Sequence, residues 1–160
     1  MSSVAPPAGW NVSPVGIDCR LFYSTSFGTP TRIEIPAAID ITENTTRNRA
    51  ELKSRATTWA FDRATTRRQE LEFGYRYRRG TDAVYTALRQ AFEAQTTLIW
   101  WILDGPINFI GTQGKVFPGQ IFDFGNDEPL EDGKVFNISI GLVEHYETTT
   151  LILPQWFTVA

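Results

Sequence analysis

The chain has 160 residues, which is enough for one domain with a short extension at each end. Its 42% hydrophobic and 21% charged residues are ordinary for a folded protein and exclude an intrinsically disordered chain. The formal net charge of -3 excludes a protein that binds nucleic acid through its overall charge. The single cysteine, Cys19, excludes an intramolecular disulfide and a zinc site built on several thiolates.

The first segment, residues 1–14, contains three prolines and a glycine but neither a basic residue nor an apolar run. We therefore expect an extended arm there, and no signal peptide. From Gly16 onward, apolar and polar residues alternate with the period of a half-buried strand. Cys19 falls on the apolar face of this strand with Ile17 and Leu21, so we expect a buried, inert thiol.

Further segments with alternating or apolar character predict strands along the rest of the chain. They are residues 32–35, 38–41, 57–61, 70–78, 98–103, 107–110, 120–124 and 135–146. In the segment 98–103, Trp100 and Trp101 point to opposite faces, so we expect that strand to be covered on both sides.

One segment has the period of a helix, with Val84 and Leu88 on a single apolar stripe. Thr81 or Asp82 is placed to cap its start, and we expect it to end near Gln95. A single helix among many short strands predicts a mainly β fold. The expected architecture is an antiparallel β-sandwich or barrel with one flanking α-helix and a long polar loop.

That loop is predicted between Thr42 and Arg55, where only Ala50 and Leu52 are apolar. A polar stretch of this length buries too little, within its own small domain, to offset the entropy of ordering it. We therefore expect it to become ordered when a neighbouring subunit supplies a surface. The residues predicted to contact that subunit are Asn44, Thr45, Thr46, Arg47, Arg49, Lys53 and Arg55.

Charge is distributed unevenly along the chain. Between Arg47 and Arg79, ten basic residues outnumber four acidic ones, which leaves +6; between Asp104 and Glu147, eight acidic residues outnumber two basic ones, which leaves -6. Such patches either remain solvated, neutralise each other within the fold, or make a head-to-tail contact between copies. The acidic turn predicted to complement the loop contains Asp127, Glu128, Glu131 and Asp132.

Phosphate binding by the same arginines is a third interpretation. Against it, the basic stretch is interspersed with threonines, and its tyrosines, Tyr75 and Tyr77, alternate onto the expected core face, where bases cannot stack on them.

The last segment, residues 148–160, predicts a C-terminal arm that follows a domain spanning residues 15–147. Its apolar anchors are Leu151, Leu153, Trp156 and Phe157. Apolar side chains on a terminal arm need cover, and we expect the adjacent subunit to provide it.

Motifs for catalysis or cofactor binding are missing from the sequence. His145 is the only histidine, no Gly-x-Ser-x-Gly motif exists, and we expect His145 to be a surface or subunit-contact residue. The spacing of residues 111–115 is wrong for a phosphate loop, and residues 123–134 lack the glycine and glutamate of a calcium loop. We therefore expect no catalytic residue, cofactor or metal.

Several segments, in order along the chain, resemble the tail tube proteins of siphophages, the long-tailed bacteriophages, whose fold is related to tube proteins of contractile tails and type VI secretion. Residues 16–23 resemble the first strand of that family, and residues 40–47 the strand that leads into its long loop. Residues 75–94 resemble a strand and the helix after it, and residues 123–124 and 129–133 a late acidic turn.

The resemblance implies a non-enzymatic subunit of the virion tail, made in the cytoplasm of the bacterial host. Six subunits would close a ring, and rings would stack into a tube with the loop at 42–55 ordered against the neighbouring ring. The implied partners are other copies of the chain and tape-measure, tip and terminator proteins. DNA would pass through an acidic lumen without specific binding, so the arginines of residues 47–79 are expected at subunit contacts instead.

Two alternatives remain open at this point. Another tail or secretion-tube component of the same fold, such as a terminator, a tip ring or a contractile-system tube, would form a single ring or a different stack. A monomeric ligand-binding β-barrel would line a cavity with polar and aromatic groups, and would need neither the arms nor the loop.

Overall fold

The computed structural model of the protein describes residues 19–53, 55–77, 82–127 and 134–160. The arm predicted at residues 1–14 lies outside these ranges. The elements within them are β1 (Arg20–Ser24), β2 (Ile33–Glu34), β3 (Ala38–Lys53), β4 (Ala60–Arg76), α1 (Ala83–Glu93), β5 (Leu98–Leu103), β6 (Gln113–Asp127), β7 (Val135–Leu142), β8 (Tyr146–Glu147), β9 (Thr150–Leu151) and β10 (Gln155–Thr158).

Eight of these strands form one antiparallel sheet in the order β2-β1-β5-β6-β7-β4-β3, with β10 added beside β6. Strands β8 and β9 form a separate small hairpin. Strand β6 changes partner along its length, because residues 114–119 pair with β5 and residues 119–127 pair with β7. The prediction of a mainly β, antiparallel fold with one flanking helix is confirmed.

The main core lies on one face of this curved sheet. Strand β4 shows the pattern most clearly: Leu71, Phe73 and Tyr75 are buried, while Glu70 and Glu72, on either side of Leu71, are exposed. Helix α1 covers one side of the same core with its buried residues Leu88 and Ala91. The remaining buried members are Leu21, Tyr23, Ile35, Leu98, Trp100, Phe117, Ile121, Phe136, Ile138 and Ile140.

Strand β5 is covered on both faces, as predicted. Trp100 is 0% exposed in the main core, and its indole N–H donates a hydrogen bond to the Gly119 carbonyl at 3.2 Å. Trp101 is 1% exposed on the opposite face, and its indole N–H donates to the Ser24 hydroxyl at 3.0 Å. A second, smaller core surrounds Trp101 and consists of Phe22, Ile99, Leu103 and Val116.

Helix α1 begins at the cap that the sequence predicts. The Asp82 carboxylate accepts the Tyr85 backbone N–H at 3.1 Å, and the helix ends at the C-cap residue Ala94. The same carboxylate accepts the hydroxyl of Tyr75 at 2.6 Å. Burial, reinforced by this hydrogen bond, raises the pKa of Tyr75 well above its usual range. Asp82 therefore joins the helix to strand β4 as well as capping it.

Two local predictions are wrong. Residues 107–110 form turns instead of a strand, because the Phe109 N–H donates to the Pro106 carbonyl at 3.2 Å and the chain folds back. Cys19 is exposed, because strand β1 begins one residue later, at Arg20, and the apolar alternation does not bury the residue before it.

The double role of Asp82 generates a stability prediction. Asp82→Ala removes the helix cap and leaves the buried Tyr75 hydroxyl without its acceptor, so we expect a loss of about 2–3 kcal/mol in the free energy of unfolding. Asp82→Asn, which keeps an acceptor, should lose about half as much. Urea unfolding of the monomer measures both. Adding Tyr75→Phe to Asp82→Ala should restore part of the loss, and a loss below about 0.5 kcal/mol for Asp82→Ala would contradict the assignment.

Candidate subunit-contact surfaces

The predicted polar loop is a two-stranded ribbon that continues the sheet outward. Strand β4 pairs with β7 only from Glu70 to Arg76, whereas it pairs with β3 as far as Ala60, which lies opposite Lys53. Among the described strands, residues 60–69 therefore have β3 as their only partner. The prediction of a loop is wrong because this cross-strand ladder satisfies the backbone without any apolar alternation in the sequence.

The residues predicted to contact a neighbour all lie on this ribbon. Asn44, Thr45, Thr46, Arg47, Arg49 and Lys53 belong to β3, and Arg55 lies in the connection to β4. Each of them is exposed, and so is every residue of β4 from Ala60 to Arg68. An isolated two-stranded ribbon is at best marginally stable in water. A second molecule that packs against this ribbon would stabilise it.

The charges of the ribbon do not satisfy one another. Arg47 lies directly opposite Arg67, and Glu51 lies directly opposite Asp62, so like charges are paired across the strands. Like charges in these positions destabilise an antiparallel pair. The ion pairs Arg49–Asp62 at 3.8 Å and Lys53–Glu51 at 3.7 Å are well exposed, so each contributes little. The ribbon keeps an excess of positive charge that is open to a partner.

A polar network holds the ribbon where it leaves the body of the protein. The Gln69 amide donates to the Glu43 carboxylate at 2.6 Å, and the Lys115 ammonium reaches the same carboxylate at 3.2 Å. Thr45 also bonds to Glu43, and Lys115 donates to the Thr45 hydroxyl. Gln69 is only 3% exposed and continues the core-facing row of β4. These groups close the open end of the core with hydrogen bonds instead of apolar contacts.

The network determines the ionisation of Glu43. Partial burial alone would raise the pKa of this carboxyl, but hydrogen bonds from Gln69, Thr45 and Lys115, together with the Lys115 charge, hold it below its usual value. The ionised carboxylate is thus the form that fixes the ribbon to strand β6. Sequence analysis missed this network because its members are far apart in the chain and none belongs to a recognisable motif.

The ribbon and Asp127, the one residue of the predicted acidic turn that the structure describes, lie toward opposite ends of β7. Strand β4 leaves β7 at the Glu70–Gly141 pair, from which the ribbon continues, whereas the other end of β7 pairs Val135 with Asp127. Asp127 is the last described residue of β6, and Glu128, Glu131 and Asp132 lie outside the described residues.

The C-terminal segment is partly built into its own subunit. Strand β10 pairs with β6, with Trp156 opposite Lys115 and Phe157 opposite Gly114. The Phe157 ring packs edge-on against Trp101, with 4.9 Å between ring centroids. The Arg32 guanidinium lies 4.1 Å from the Trp101 ring centroid and 4.8 Å from that of Phe157.

Phe157 is therefore covered by its own chain, contrary to the prediction that a neighbour covers it. The other predicted anchors, Leu151, Leu153 and Trp156, are exposed, and Trp156 is 66% exposed. These three side chains remain available to a partner.

Three central rows on the outer face of the β3-β4-β7-β6 sheet are polar and acidic. Cross-strand pairing places Thr42, Glu72, Ser139 and Asp123 in one row. The row beside it contains Asn44, Glu70, Gly141 and Gln120, and the row on the other side contains Ile39, Gly74, Asn137 and Gly125. Phe122, at a β-bulge, lies over Gly141. No basic side chain occurs in these three rows of described residues.

The same sheet has two free edges. Strand β3 pairs only with β4, and residues 120–127 of β6 pair only with β7, among the strands that the structure describes. Unpaired strand edges are templates for pairing with another chain. Since both edges belong to one chain and differ from each other, they can join copies head to tail around a ring.

His145 lies beside Glu147 in a structural position. Its Nε2 is 3.5 Å from the Glu147 carboxylate, which also accepts the backbone N–H groups of Phe27 and Gly28. Burial would raise the pKa of Glu147, but these hydrogen bonds lower it overall. Glu147 therefore anchors the loop after β1. Among the described residues, no group of three metal-ligating side chains occurs.

We also find no helix, in the ranges covered by the structure, with the length and apolar character needed to span a bilayer.

Comparison with solved structures shows the fold to be that of phage tail tubes, although no family model and no curated protein matches the chain. The chain is similar to the SPP1 tail tube protein, with a TM-score of 0.65 at 17% identity over 89% of this chain and 79% of that one.

It is similar to a tail protein of the gene transfer agent, solved with C6 symmetry, with a TM-score of 0.64 at 10% identity over 86% and 100% of the two chains. A protein of the anti-feeding prophage baseplate matches over 98% and 99% of the two chains, with a TM-score of 0.53 at 6% identity.

The polar network generates a prediction about pH. Since the folded-state pKa of Glu43 is lowered, its stabilisation is present above the unfolded-state value, roughly 4.3, and is lost as the pH falls through the folded-state value. We expect Glu43→Gln to lose about 1 kcal/mol of unfolding free energy at pH 7, and the difference from the wild type to shrink as the pH approaches 3. Urea unfolding across this range measures it. The exposed Glu51→Gln is the control, and a pH-independent difference for Glu43→Gln would refute the account.

Proposed function

We propose that the chain is a structural subunit of the tail tube of a long-tailed bacteriophage, which assembles into stacked hexameric rings around a channel for DNA. The observation that carries this proposal is the exposed ribbon of β3 and β4 on a body with the tail tube fold. A strand pair without cover in its own chain is the mark of a subunit that completes its fold in an assembly. The C6 symmetry of the similar gene transfer agent tail supports six subunits in a ring.

Ring closure in this proposal uses the two free edges of the sheet. The outer edge of β3 in one copy pairs with residues 120–127 of β6 in the next copy. Each copy then contributes β3, β4, β7 and β6 to one continuous barrel, which removes the exposed edges. A contact between unlike edges closes when the rotation between copies divides a full turn.

The proposed channel lining is the outer face of that barrel sheet. Glu70, Glu72 and Asp123 give it negative charge, while Gly74 and Gly141 leave parts of the backbone without a side chain. A negative surface repels the phosphate backbone of DNA, so that DNA can move without sticking. The basic residues of β3 and β4 lie beyond these rows, those of the ribbon at one end and Arg76, which pairs with Val135, at the other.

Stacking is proposed to use the polarity along the strands. Arg47 and Arg49 of the ribbon of one ring are proposed to meet the near end of the next ring, while Lys53 and Arg55, at the end of the ribbon, contact the same ring further along. The proposed acidic partners in the sequence are Asp127, Glu128, Glu131 and Asp132. Complementary charge selects the head-to-tail orientation, because two like ends would repel. The exposed Leu151, Leu153 and Trp156 offer further contact to a neighbouring copy. Tape-measure, tip and terminator proteins are the other proposed partners, and the virion tail is the proposed location.

A second candidate is a tip or baseplate component of the same fold, which the likeness to the anti-feeding prophage baseplate over 98% of this chain favours. Such a protein would form a single ring. The ligand-binding barrel is the weaker alternative, because the depressions that the structure shows are open surface features and the core is filled with side chains.

Electron microscopy of the purified protein after long incubation tests the proposal. We expect hollow tubes of uniform width from the wild-type chain and folded monomers or single rings from Arg47→Glu/Arg49→Glu. The double substitution reverses the charge that faces the next ring, so stacking should be lost while the body of the fold remains. Arg89→Glu on the exposed side of α1 is the control and should form tubes. Isolated rings from the wild type would favour the baseplate-like alternative. Tubes from the double variant would show that stacking does not depend on the charge of the ribbon.

The proposed lining can be tested by size-dependent labelling. Asn137→Cys in a Cys19→Ser background places one thiol on the outer face of the barrel sheet. In monomers, this thiol should react with both a small maleimide and a large maleimide-polymer. In tubes, labelling by the polymer should fall at least about tenfold, because the channel excludes it, while the small reagent still reacts. Equal labelling of tubes and monomers by the polymer would show that this face does not line the channel.

A further inference from the structure

The outer part of the ribbon is amphipathic. Leu52 and Phe61 lie directly opposite each other on one face, and Trp59 lies two residues before Phe61, just outside β4. Their exposed fractions are 49%, 57% and 75%. The opposite face carries the Arg49–Asp62 ion pair and the Glu51–Lys53 ion pair. We call Leu52, Trp59 and Phe61 the apolar tip.

A second apolar surface lies at the other end of the ribbon. Leu142, Leu151 and Leu153 line a depression of about 280 Å³ beside the end of β7, and all three are exposed by more than a third. We call them the C-terminal patch. Leu142 and Leu153 also line a neighbouring depression with Gln69, where the ribbon leaves the body. Exposed apolar surfaces of this kind are typical of sites that bind another protein.

The tip of a ribbon does not reach the patch of its own chain. Residues 60–69 of β4 extend beyond β7, and ten residues of a strand span about 33 Å. The tip therefore lies roughly 25–30 Å from Gln69, which borders the patch. In a second copy stacked in the same orientation, the C-terminal patch lies at the end of β7 that is farther from the first copy. The paired stretch of β4 and β7 between the two ends has seven residues and is about 23 Å long. A ribbon from the copy below is long enough to run alongside that stretch.

We propose that the apolar tip of one copy docks on the C-terminal patch of the next copy in the stack. The inference rests on the proposed tail tube function and specifies which surfaces join the rings. Burial of the tip and the patch removes apolar area from water on both partners, which gives the contact its stability. The positive charge of the ribbon then provides orientation, while the apolar contact holds the rings together.

Charge around the two surfaces is complementary. Arg63 lies on the same face of the ribbon as Leu52 and Phe61, since it pairs with Ala50. Glu144 lines the depression with Leu142 and Leu153. A tip that enters the depression brings the Arg63 guanidinium near the Glu144 carboxylate, and partial desolvation there strengthens their attraction. This pair fixes the position of the tip on the patch.

Cross-linking of mixed copies tests the docking. Leu52→Cys and Leu153→Cys are made in separate chains, each with Cys19→Ser, and the two are co-assembled and treated with a short bismaleimide. We expect a covalent dimer that contains one copy of each variant and forms in tubes but not in diluted monomers. Lys53→Cys replaces Leu52→Cys as the matched control, because Lys53 lies on the opposite face of the ribbon. Its cross-linking yield with Leu153→Cys should be at least about tenfold lower.

Charge exchange provides a second measurement. Arg63→Glu and Glu144→Arg should each reduce the amount of sedimented tube, and the two substitutions together should restore it. Normal tubes with no dimer from Leu52→Cys, or with equal dimer from Lys53→Cys, would overturn the docking and leave the tail tube function intact. A Cys19→Ser parent that never forms tubes or rings would overturn the proposed function and, with it, the docking.

Discussion

The structure depends on how strand β4 is held along its length. From Glu70 to Arg76 it has neighbours on both sides and contributes Leu71, Phe73 and Tyr75 to the core, so this half is stabilised within the chain. From Ala60 to Arg68 it is exposed, and β3 is its only partner among the described strands. The same strand thus serves as the centre of a sheet and as an unsupported projection. The Glu43 network lies at the boundary between these two halves of β4.

Apolar packing, negative charge and positive charge lie on separate parts of the sheet. The inner face is apolar and filled, while the outer face carries Glu70, Glu72 and Asp123 without an intervening basic residue in the three described rows. Positive charge is concentrated on the ribbon, beyond those rows. In the proposed tube, attraction between copies and repulsion of a polyanion would therefore act in different places. Helix α1 and the second core around Trp101 stiffen the body that keeps these surfaces apart.

Sequence patterns predicted the parts of the fold that bury alternate residues. The helix, its Asp82 cap and the double coverage of Trp100 and Trp101 follow from local periodicity and capping chemistry. The ribbon could not be predicted in this way, because both of its faces are exposed and hydrophobic alternation reports only a buried face. The Glu43–Lys115 contact joins residues 72 positions apart in sequence, and Phe157 is covered by strands from three parts of the chain. Such contacts depend on topology, which local patterns do not encode.

The break in pairing between Arg47 and Arg49 has a mechanical consequence. On the body side of this β-bulge the ribbon is clamped by Gln69 and Lys115, and on the far side a stacked neighbour would hold the tip. A bulge interrupts the ladder and lets the strands bend more easily than a regular pair does. Bending of a tube would therefore concentrate at one joint per subunit, and the rings themselves would stay rigid. The proposed tail would then flex as a chain of stiff discs, and its curvature need not constrict the bore.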